Sequence, residues 1–141
     1  MEEWQTFWRK DGHLAAEGFA YRESGPHLML MAFLQRIVNG GGKIEREYGL
    51  GKGALDLVVA WRGQRYAIEL KMRRDDPGKY PTGYTETEKK ARVQVSRYLQ
   101  SLGLCEGWLV LFDLRKEISW DDKLFVREVE HEGKKIHVVG C

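Results

Sequence analysis

The sequence has few cysteines, few prolines and no long hydrophobic run. Its 141 residues include two cysteines, Cys105 and Cys141, which form no Cys-x-x-Cys pair and no disulfide framework. No stretch of about 18 apolar residues is present, so neither a membrane-spanning helix nor a membrane partner is predicted. The N-terminal segment is polar and carries both signs of charge, which does not match a signal peptide. We therefore expect a soluble protein of the cytoplasm.

The chain also lacks a strong excess of one charge. It has 23 lysines and arginines against 21 aspartates and glutamates, which gives a formal net charge of +2. Overall charge therefore neither favours nor excludes a polyanionic partner, and an argument for nucleic-acid binding must rest on local charge. The length is sufficient for one domain with its own hydrophobic core, and no internal repeat or linker-like stretch divides it. Residues 1–141 are treated as a single domain.

Hydrophobic periodicity predicts helices that alternate with two groups of strands. A helix from His27 to Val38 is apolar on most faces and ends at Asn39-Gly40, which readily adopt the left-handed conformation. A second helix, over 86–102, keeps its apolar residues on one face, and the stretch from Arg73 to Thr85 is predicted as a loop. Strands are predicted at 43–48, 54–61, 65–72, 107–112, 123–128 and 135–139. The expected fold is α/β, a mixed β-sheet flanked by helices, preceded by a helical extension over residues 1–26.

Two of these strands, 54–61 and 65–72, are close enough in sequence to form a hairpin. The favoured register is the one that collects the large apolar side chains on one face, because a one-residue slip would mix them with charged side chains. Leu57 is then paired with Ile68. The predicted apolar face comprises Leu55, Leu57, Val59, Tyr66, Ile68 and Leu70.

The same register places Asp56 directly opposite Glu69 on the other face, next to Lys71. Directly opposed residues have Cβ atoms about 5 Å apart, and like charges in that arrangement destabilise a sheet. A divalent cation such as Mg²⁺ removes the conflict, because it takes oxygen ligands from one or two carboxylates. The Lys71 ammonium would then lie beside the metal, where it can orient a water or stabilise charge on a phosphate. A solvated sheet face would show the same spacing, so spacing alone leaves both interpretations open.

The residues around these carboxylates form two motifs that resemble a known nuclease pattern. The first motif is Gly51-x-Gly53-x-x-Asp56-Leu57-Val58-Val59, and the second is Ala67-Ile68-Glu69-Leu70-Lys71. Together they are similar to the motifs of the PD-(D/E)xK nuclease superfamily, which has the restriction-endonuclease-like fold. The predicted order of elements agrees with that fold over residues 27–112 and leaves 113–141 as a C-terminal β extension. The stretch 30–59 also resembles the C-terminal nuclease domains of bacterial AAA-type ATP-binding proteins, although this chain contains no Walker motif.

The resemblance implies an Mg²⁺- or Mn²⁺-dependent nuclease that hydrolyses phosphodiester bonds in DNA. Asp56, Glu69 and the backbone carbonyl of Leu70 would hold the metal, and Lys71 would complete the catalytic set. The implied partners are DNA and an ATPase domain or subunit, and a homodimer is compatible with the sequence. Two other interpretations stay open. One is a nuclease-fold domain that binds nucleic acid or a partner without cleavage and regulates an ATPase, and the other is a structural domain whose carboxylates are incidental.

The helix over 86–102 carries further candidates. Gln94 and Tyr98 resemble the Q-x-x-x-Y pattern that follows the Glu-x-Lys motif in nuclease domains attached to AAA-type ATPases, which implies a catalytic role for Gln94. Lys90 and Arg97 lie on the same helical stripe as Gln94, and we expect this stripe to face the cleft. The candidates for nucleic-acid binding are Lys90, Arg97, Arg73, Arg74 and Tyr98. A solvated basic surface would have the same composition.

One acidic residue that the resemblance implies is missing from its usual place. The family often has a glutamate on the helix before the first strand, whereas residues 28–38 contain no acid. Glu23, Glu45 and Glu47 are the available substitutes. Because strand residues alternate between faces, Glu45 and Glu47 share one face with Lys43, so a charged strand face is the competing interpretation.

Overall fold

The computed structural model describes residues 1–13, 24–50, 53–73 and 84–141. The first helix, α1 (Glu2–Phe7), continues into a π-helical turn (Trp8–Gly12). The other helices are α2 (Ser24–Val38), α3 (Tyr84–Leu102) and α4 (Trp120–Lys123). The strands are β1 (Lys43–Leu50), β2 (Gly53–Trp61), β3 (Gln64–Arg73), β4 (Glu106–Asp113), β5 (Phe125–His131) and β6 (Lys134–Gly140). No helix within these ranges is long and apolar enough to cross a membrane.

All six strands form one mixed sheet in the order β1-β2-β3-β4-β6-β5. The pairs β3–β4 and β4–β6 are parallel, and the other three pairs are antiparallel. Parallel pairing of β3 with β4 requires a crossover connection, which α3 provides. The prediction of an α/β fold with a mixed sheet flanked by helices is therefore confirmed.

One face of the sheet is covered by α1, the π-helical turn and α2. The indole rings of Trp4 and Trp8 are almost fully buried, and both pack edge-on against Phe112 of β4, with ring centroids 6.1 and 5.1 Å apart. The Trp4 indole nitrogen also donates a hydrogen bond to the Sγ atom of Cys141 at 3.2 Å. Such aromatic pairs are worth about 1 kcal/mol each beyond the area they bury, so they fix α1 on this face of the sheet.

The opposite face is covered by α3. Five side chains of this helix at helical spacing are buried against the sheet, as the apolar periodicity predicted. They are Ala91, Val95, Tyr98, Leu99 and Leu102. Glu88 at the start of the helix is also buried, and its carboxylate accepts hydrogen bonds from Arg92 and from Arg127 of β5. This charged contact connects α3 to the edge of the sheet.

Several element boundaries differ from the predicted ones. The helix α2 begins at Ser24 rather than His27, and β3 extends to Arg73. The short helix α4 was not predicted, and it occupies the first residue of the strand that was predicted at 123–128. Ser119 caps this helix by accepting a hydrogen bond from the Asp122 amide, so β5 begins only at Phe125. Residues 14–23 of the predicted extension and 74–83 of the predicted loop lie outside the described ranges.

The predicted hairpin register is confirmed between the turn and the pair Leu57–Ile68, whereas the predicted direct pairing of Asp56 with Glu69 and of Leu55 with Leu70 is not part of the ladder. Leu57 pairs with Ile68, and the ladder runs from this pair to Trp61 and Gln64 at the turn. The two turn residues, Arg62-Gly63, have φ values of 51° and 76°, as a two-residue turn that follows the twist of the strands requires.

The predicted position of Leu55 is wrong. Leu55 does not share a face with Leu57 and Leu70, but packs in the opposite cluster, beneath α3. The alternation of side chains breaks at Asp56, whose carboxylate accepts the backbone hydrogen bond of Leu70. The Asp56 side chain thus takes the place that a main-chain carbonyl of β2 would occupy in a continued ladder. The side chain of Leu55 then points to the opposite face from the one that regular alternation would give.

Candidate active site

The carboxylate of Asp56 is anchored to the backbone of β3. Its Oδ2 atom accepts a hydrogen bond of 2.7 Å from the amide of Leu70, the residue between Glu69 and Lys71. The N–H and C=O groups of one strand residue point to the same neighbouring strand. The Leu70 carbonyl, which was predicted as a metal ligand, therefore points toward β2 as well. The two predicted oxygen ligands, one from each strand, face the same gap between β2 and β3.

Glu69 lies within the sheet on the face that α3 covers, and only 2% of its side chain is exposed. Its Oε1 atom accepts a hydrogen bond of 2.6 Å from Lys71 Nζ. Its Oε2 atom is buried and has no hydrogen-bond partner in the described part of the chain. A buried polar atom without a partner costs about 1–3 kcal/mol, so this oxygen marks a place where a ligand would stabilise the protein.

The surroundings of Glu69 disfavour its negative charge. Burial raises the pKa of this carboxyl, and the adjacent charge of Asp56 raises it further, whereas Lys71 and the Asp56 backbone amide lower it. The resulting pKa is about 7, compared with an ordinary value of 4.5. A cation placed next to both carboxylates would reverse this effect, because opposite charge favours the ionised form.

Lys71 lies between the buried Glu69 carboxylate and solvent. Its side chain is 30% exposed while its ammonium contacts Glu69. Lys71 is paired with Leu111 of β4, and Leu111 belongs to the cluster beneath α3, so Lys71 lies on the same face as Glu69. The structure therefore brings together three predicted residues, Asp56, Glu69 and Lys71.

The donor atoms fit a hard divalent cation. Asp56 and Glu69 supply carboxylate oxygens, one of which is buried without a partner, and Leu70 supplies a carbonyl oxygen. Within the described ranges, no group of three or more His, Cys, Asp or Glu residues is arranged to hold a metal. The remaining ligands of an ion at this position would therefore be water or substrate oxygens, which Mg²⁺ commonly retains in enzymes.

Gln94 contacts Tyr98, and the hydroxyl of Tyr98 lies close to Gly53 at the start of β2. The Gln94 amide donates a hydrogen bond of 3.0 Å to the hydroxyl of Tyr98. A Cβ atom added at Gly53 would lie only 2.7 Å from that hydroxyl. In the described part of the chain, Gln94 makes no hydrogen bond to Glu69 or Asp56. Its predicted catalytic role stays a prediction, and the contact that the structure shows is with the hydroxyl of Tyr98.

The predicted auxiliary acids fall in different places. Glu45 is paired with Val58 on the α3-covered face and forms an ion pair of 2.5 Å with Lys43, as a charged strand face would. Glu23 and the side chain of Glu47 lie outside the described part of the structure. A metal role for these acids stays a prediction.

The residues predicted to contact nucleic acid differ in position and exposure. Lys90 and Arg97 are exposed on α3, and Arg73 lies at the end of β3 opposite Asp113. The ring of Tyr98 is buried in the cluster beneath α3. Arg74 lies outside the described residues. These roles stay predictions.

Two features of the site were missed from the sequence. One is the Leu70 amide as the anchor of Asp56, and the other is Gly53 as the position against which the Tyr98 hydroxyl packs. The Asp56–Leu70 contact left little signal in the sequence. It places Leu55 beneath α3, and an apolar residue such as Leu55 can pack on either face of the sheet. The second feature left a clearer signal, since a glycine inside a strand often marks the close approach of another group.

Comparisons with protein-family models, with curated proteins and with solved structures find no match for this chain.

Proposed function

We propose that this protein is a metal-dependent nuclease that hydrolyses phosphodiester bonds in DNA, built on a restriction-endonuclease-like core. The observation that supports this most directly is the buried Glu69 carboxylate, which has one oxygen without a partner and lies beside Asp56 and Lys71. Two carboxylates held beside each other, one of them buried, cost free energy that a bound cation would offset.

Asp56, Glu69 and the Leu70 carbonyl would hold Mg²⁺ or Mn²⁺. When bound, the ion supplies Lewis acidity toward a phosphate oxygen and lowers the pKa of a coordinated water. Asp56 holds its carboxylate in a fixed position, because the Leu70 amide binds Oδ2. Glu69 would bind the ion through Oε2, the buried oxygen that Lys71 leaves without a partner.

Lys71 is the residue that would act on the substrate. Its ammonium is held by Glu69 Oε1 at 2.6 Å and is partly exposed, so it can reach a phosphate without leaving the site. In this position it would stabilise the negative charge that develops on the phosphate, or orient the attacking water by a hydrogen bond. The exposed Lys90 and Arg97 on α3 would contact the phosphate backbone and orient the DNA without reading its sequence.

The test is cleavage of linear, nicked and branched DNA in Mg²⁺ and in Mn²⁺ by the wild type and three variants. Asp56→Ala should lose metal binding and cleavage together, whereas Lys71→Ala should bind metal and lose cleavage. Lys135→Ala, an exposed lysine on β6, is the matched control and should cleave normally. Equal cleavage by the wild type and Lys71→Ala would overturn the assignment.

Wild-type protein that binds DNA but cleaves none of these substrates would favour the non-cleaving alternative. The same assay with an ATPase partner, if one is isolated with the protein, would then distinguish a regulatory domain from a nuclease that requires its partner.

A further inference from the structure

A cavity of about 600 Å³ lies at the carboxyl end of β4, on the sheet face opposite Glu69. The residues that line it include Trp8, His13, Trp120, Asp113, Arg115 and Lys123. Its volume is in the range of sites that hold small organic molecules, which bury most of their surface in such clefts. None of the residues assigned to the nuclease site lines it.

Lys123 is the unusual member of this cavity, because it is a buried cation. Only 8% of the residue is exposed. Its ammonium donates a hydrogen bond to the carbonyl of Arg115 and lies 5.0 Å from the centroid of the Trp120 ring. Among the residues that the structure describes, no carboxylate lies within ion-pair distance of it. Buried lysines are rare unless they are paired with a negative group.

The carboxylate in this cavity does not neutralise Lys123. Both oxygens of Asp113 are engaged by the Arg115 guanidinium, Oδ1 by Nε at 2.9 Å and Oδ2 by Nη2 at 2.6 Å. The Arg115 amide donates a further hydrogen bond to Oδ1. Asp113 and Arg115 therefore cancel each other, and Lys123, together with the exposed Lys116, leaves the cavity positive.

Two aromatic residues that line the cavity, His13 and Trp120, contact each other. The His13 ring packs edge-on against Trp120 at a centroid distance of 4.9 Å. Its Nδ1 atom lies 3.0 Å from the carbonyl oxygen of Trp8, which can only accept, so Nδ1 carries a hydrogen and Nε2 is left as the acceptor in the neutral ring. Indole and imidazole rings bind other planar rings in stacked or edge-on arrangements.

We propose that this cavity binds a small aromatic anion of about nucleotide size. The anionic group, a phosphate or a carboxylate, would pair with Lys123, and the planar ring would pack against His13 and Trp120. This pairing would supply the negative charge that Lys123 lacks and would fill the apolar part of the cavity. The site is separate from the nuclease residues, so its existence does not depend on cleavage.

Four probes separate the two parts of this recognition in a calorimetric titration. Adenosine 5′-monophosphate and indole-3-acetate carry a ring with a phosphate or a carboxylate, adenosine carries a ring without charge, and inorganic phosphate carries charge without a ring. At least one of the first two should bind with a dissociation constant below about 1 mM, and adenosine and phosphate at least about tenfold more weakly. Binding of neither aromatic anion at about 5 mM, or equal binding of adenosine, would overturn the proposal.

Two variants locate the binding. Lys123→Met keeps the length of the side chain and removes its charge, and it should weaken the aromatic anion at least about tenfold. Trp120→Leu should weaken it as well, and this second variant serves if the first does not fold, which thermal unfolding will show. Lys135→Met, on the exposed surface of β6, is the charge-matched control and should bind as the wild type does. Unchanged affinity in the folded Lys123→Met or Trp120→Leu variant would exclude this cavity as the site.

Discussion

Asp56 Oδ2 lies 2.7 Å from the backbone nitrogen of Leu70 and accepts its hydrogen bond. The ladder between β2 and β3 reaches Leu57 and Ile68, and at this point the side chain replaces a main-chain acceptor. The replacement keeps a buried amide satisfied and holds the carboxylate beside Glu69 and Lys71. Asp56 of β2 therefore satisfies a backbone amide of β3 and is at the same time a proposed metal ligand.

Removal of the Asp56 carboxylate should destabilise the protein, and an amide should restore most of the loss. Asp56→Ala leaves the buried Leu70 amide without its acceptor, which costs about 1–3 kcal/mol. Asp56→Asn keeps an oxygen acceptor and should remain within about 1 kcal/mol of the wild type. Urea unfolding below the pKa of Glu69, where repulsion between the two carboxylates is small, measures both. An equal loss in the two variants would show that the hydrogen bond does not contribute.

Without added metal, the free energy of unfolding should decrease as pH rises through the titration of Glu69. The folded-state pKa is about 7 against an ordinary 4.5, so the folded protein binds more protons than the unfolded chain between these values. The stabilisation that comes from this extra bound proton is fully present below about pH 4.5. It is lost as pH rises through about 7, and the free energy of unfolding falls by at most about 3 kcal/mol. Glu69→Gln should flatten this decrease and should be more stable than the wild type at about pH 8.

The experiment for Glu69 is urea unfolding at a series of pH values in the presence of a chelator. Glu45→Gln, on the same face but paired with Lys43 at the sheet edge, is the control and should keep the wild-type pH dependence. Parallel pH curves for the wild type and Glu69→Gln would contradict the raised pKa.

The position of Gly53 should tolerate no side chain unless Tyr98 loses its hydroxyl. A Cβ atom at this position would meet the Tyr98 hydroxyl at 2.7 Å, so Gly53→Ala should cost about 1–3 kcal/mol. Combination with Tyr98→Phe removes the closest atom and should recover part of the loss, a coupling that a double-mutant cycle measures. Gly49→Ala on β1 is the matched control, because nothing lies within 4 Å of its added Cβ atom. Additive costs in the double variant would exclude the contact.

The sequence was sufficient to predict those parts of the fold and site that depend on local periodicity. The pairing of Leu57 with Ile68 follows from alternation along two strands joined by a short turn, and this pairing brings Asp56 near Glu69. The face of Leu55 could not be predicted in the same way, because it depends on a side chain that replaces a backbone acceptor.

Contacts between residues far apart in the sequence could not be predicted from sequence patterns. Glu88 looks like an ordinary polar residue of a helix start, yet it is buried and pairs with Arg127, which lies 39 residues away. The cavity around Lys123 depends in the same way on the π-helical turn, the end of β4 and α4 meeting in space. No spacing in the sequence shows that these side chains are neighbours.

Magnesium should stabilise the folded protein, and more strongly at about pH 8 than at about pH 6. The ion binds carboxylates in their ionised form, and Glu69 with a pKa of about 7 must lose its proton before it can contribute fully. The wild type should therefore show a rise in melting temperature in millimolar Mg²⁺ that increases with pH across this range.

Glu69→Gln should lose the dependence on pH, and Asp56→Asn should lose most of the stabilisation. Lys71→Met should retain it or increase it, because the ammonium competes with the ion for Glu69 Oε1. A melting temperature that Mg²⁺ and Mn²⁺ leave unchanged at every pH, in a well-folded sample, would contradict the proposed metal site and favour incidental carboxylates.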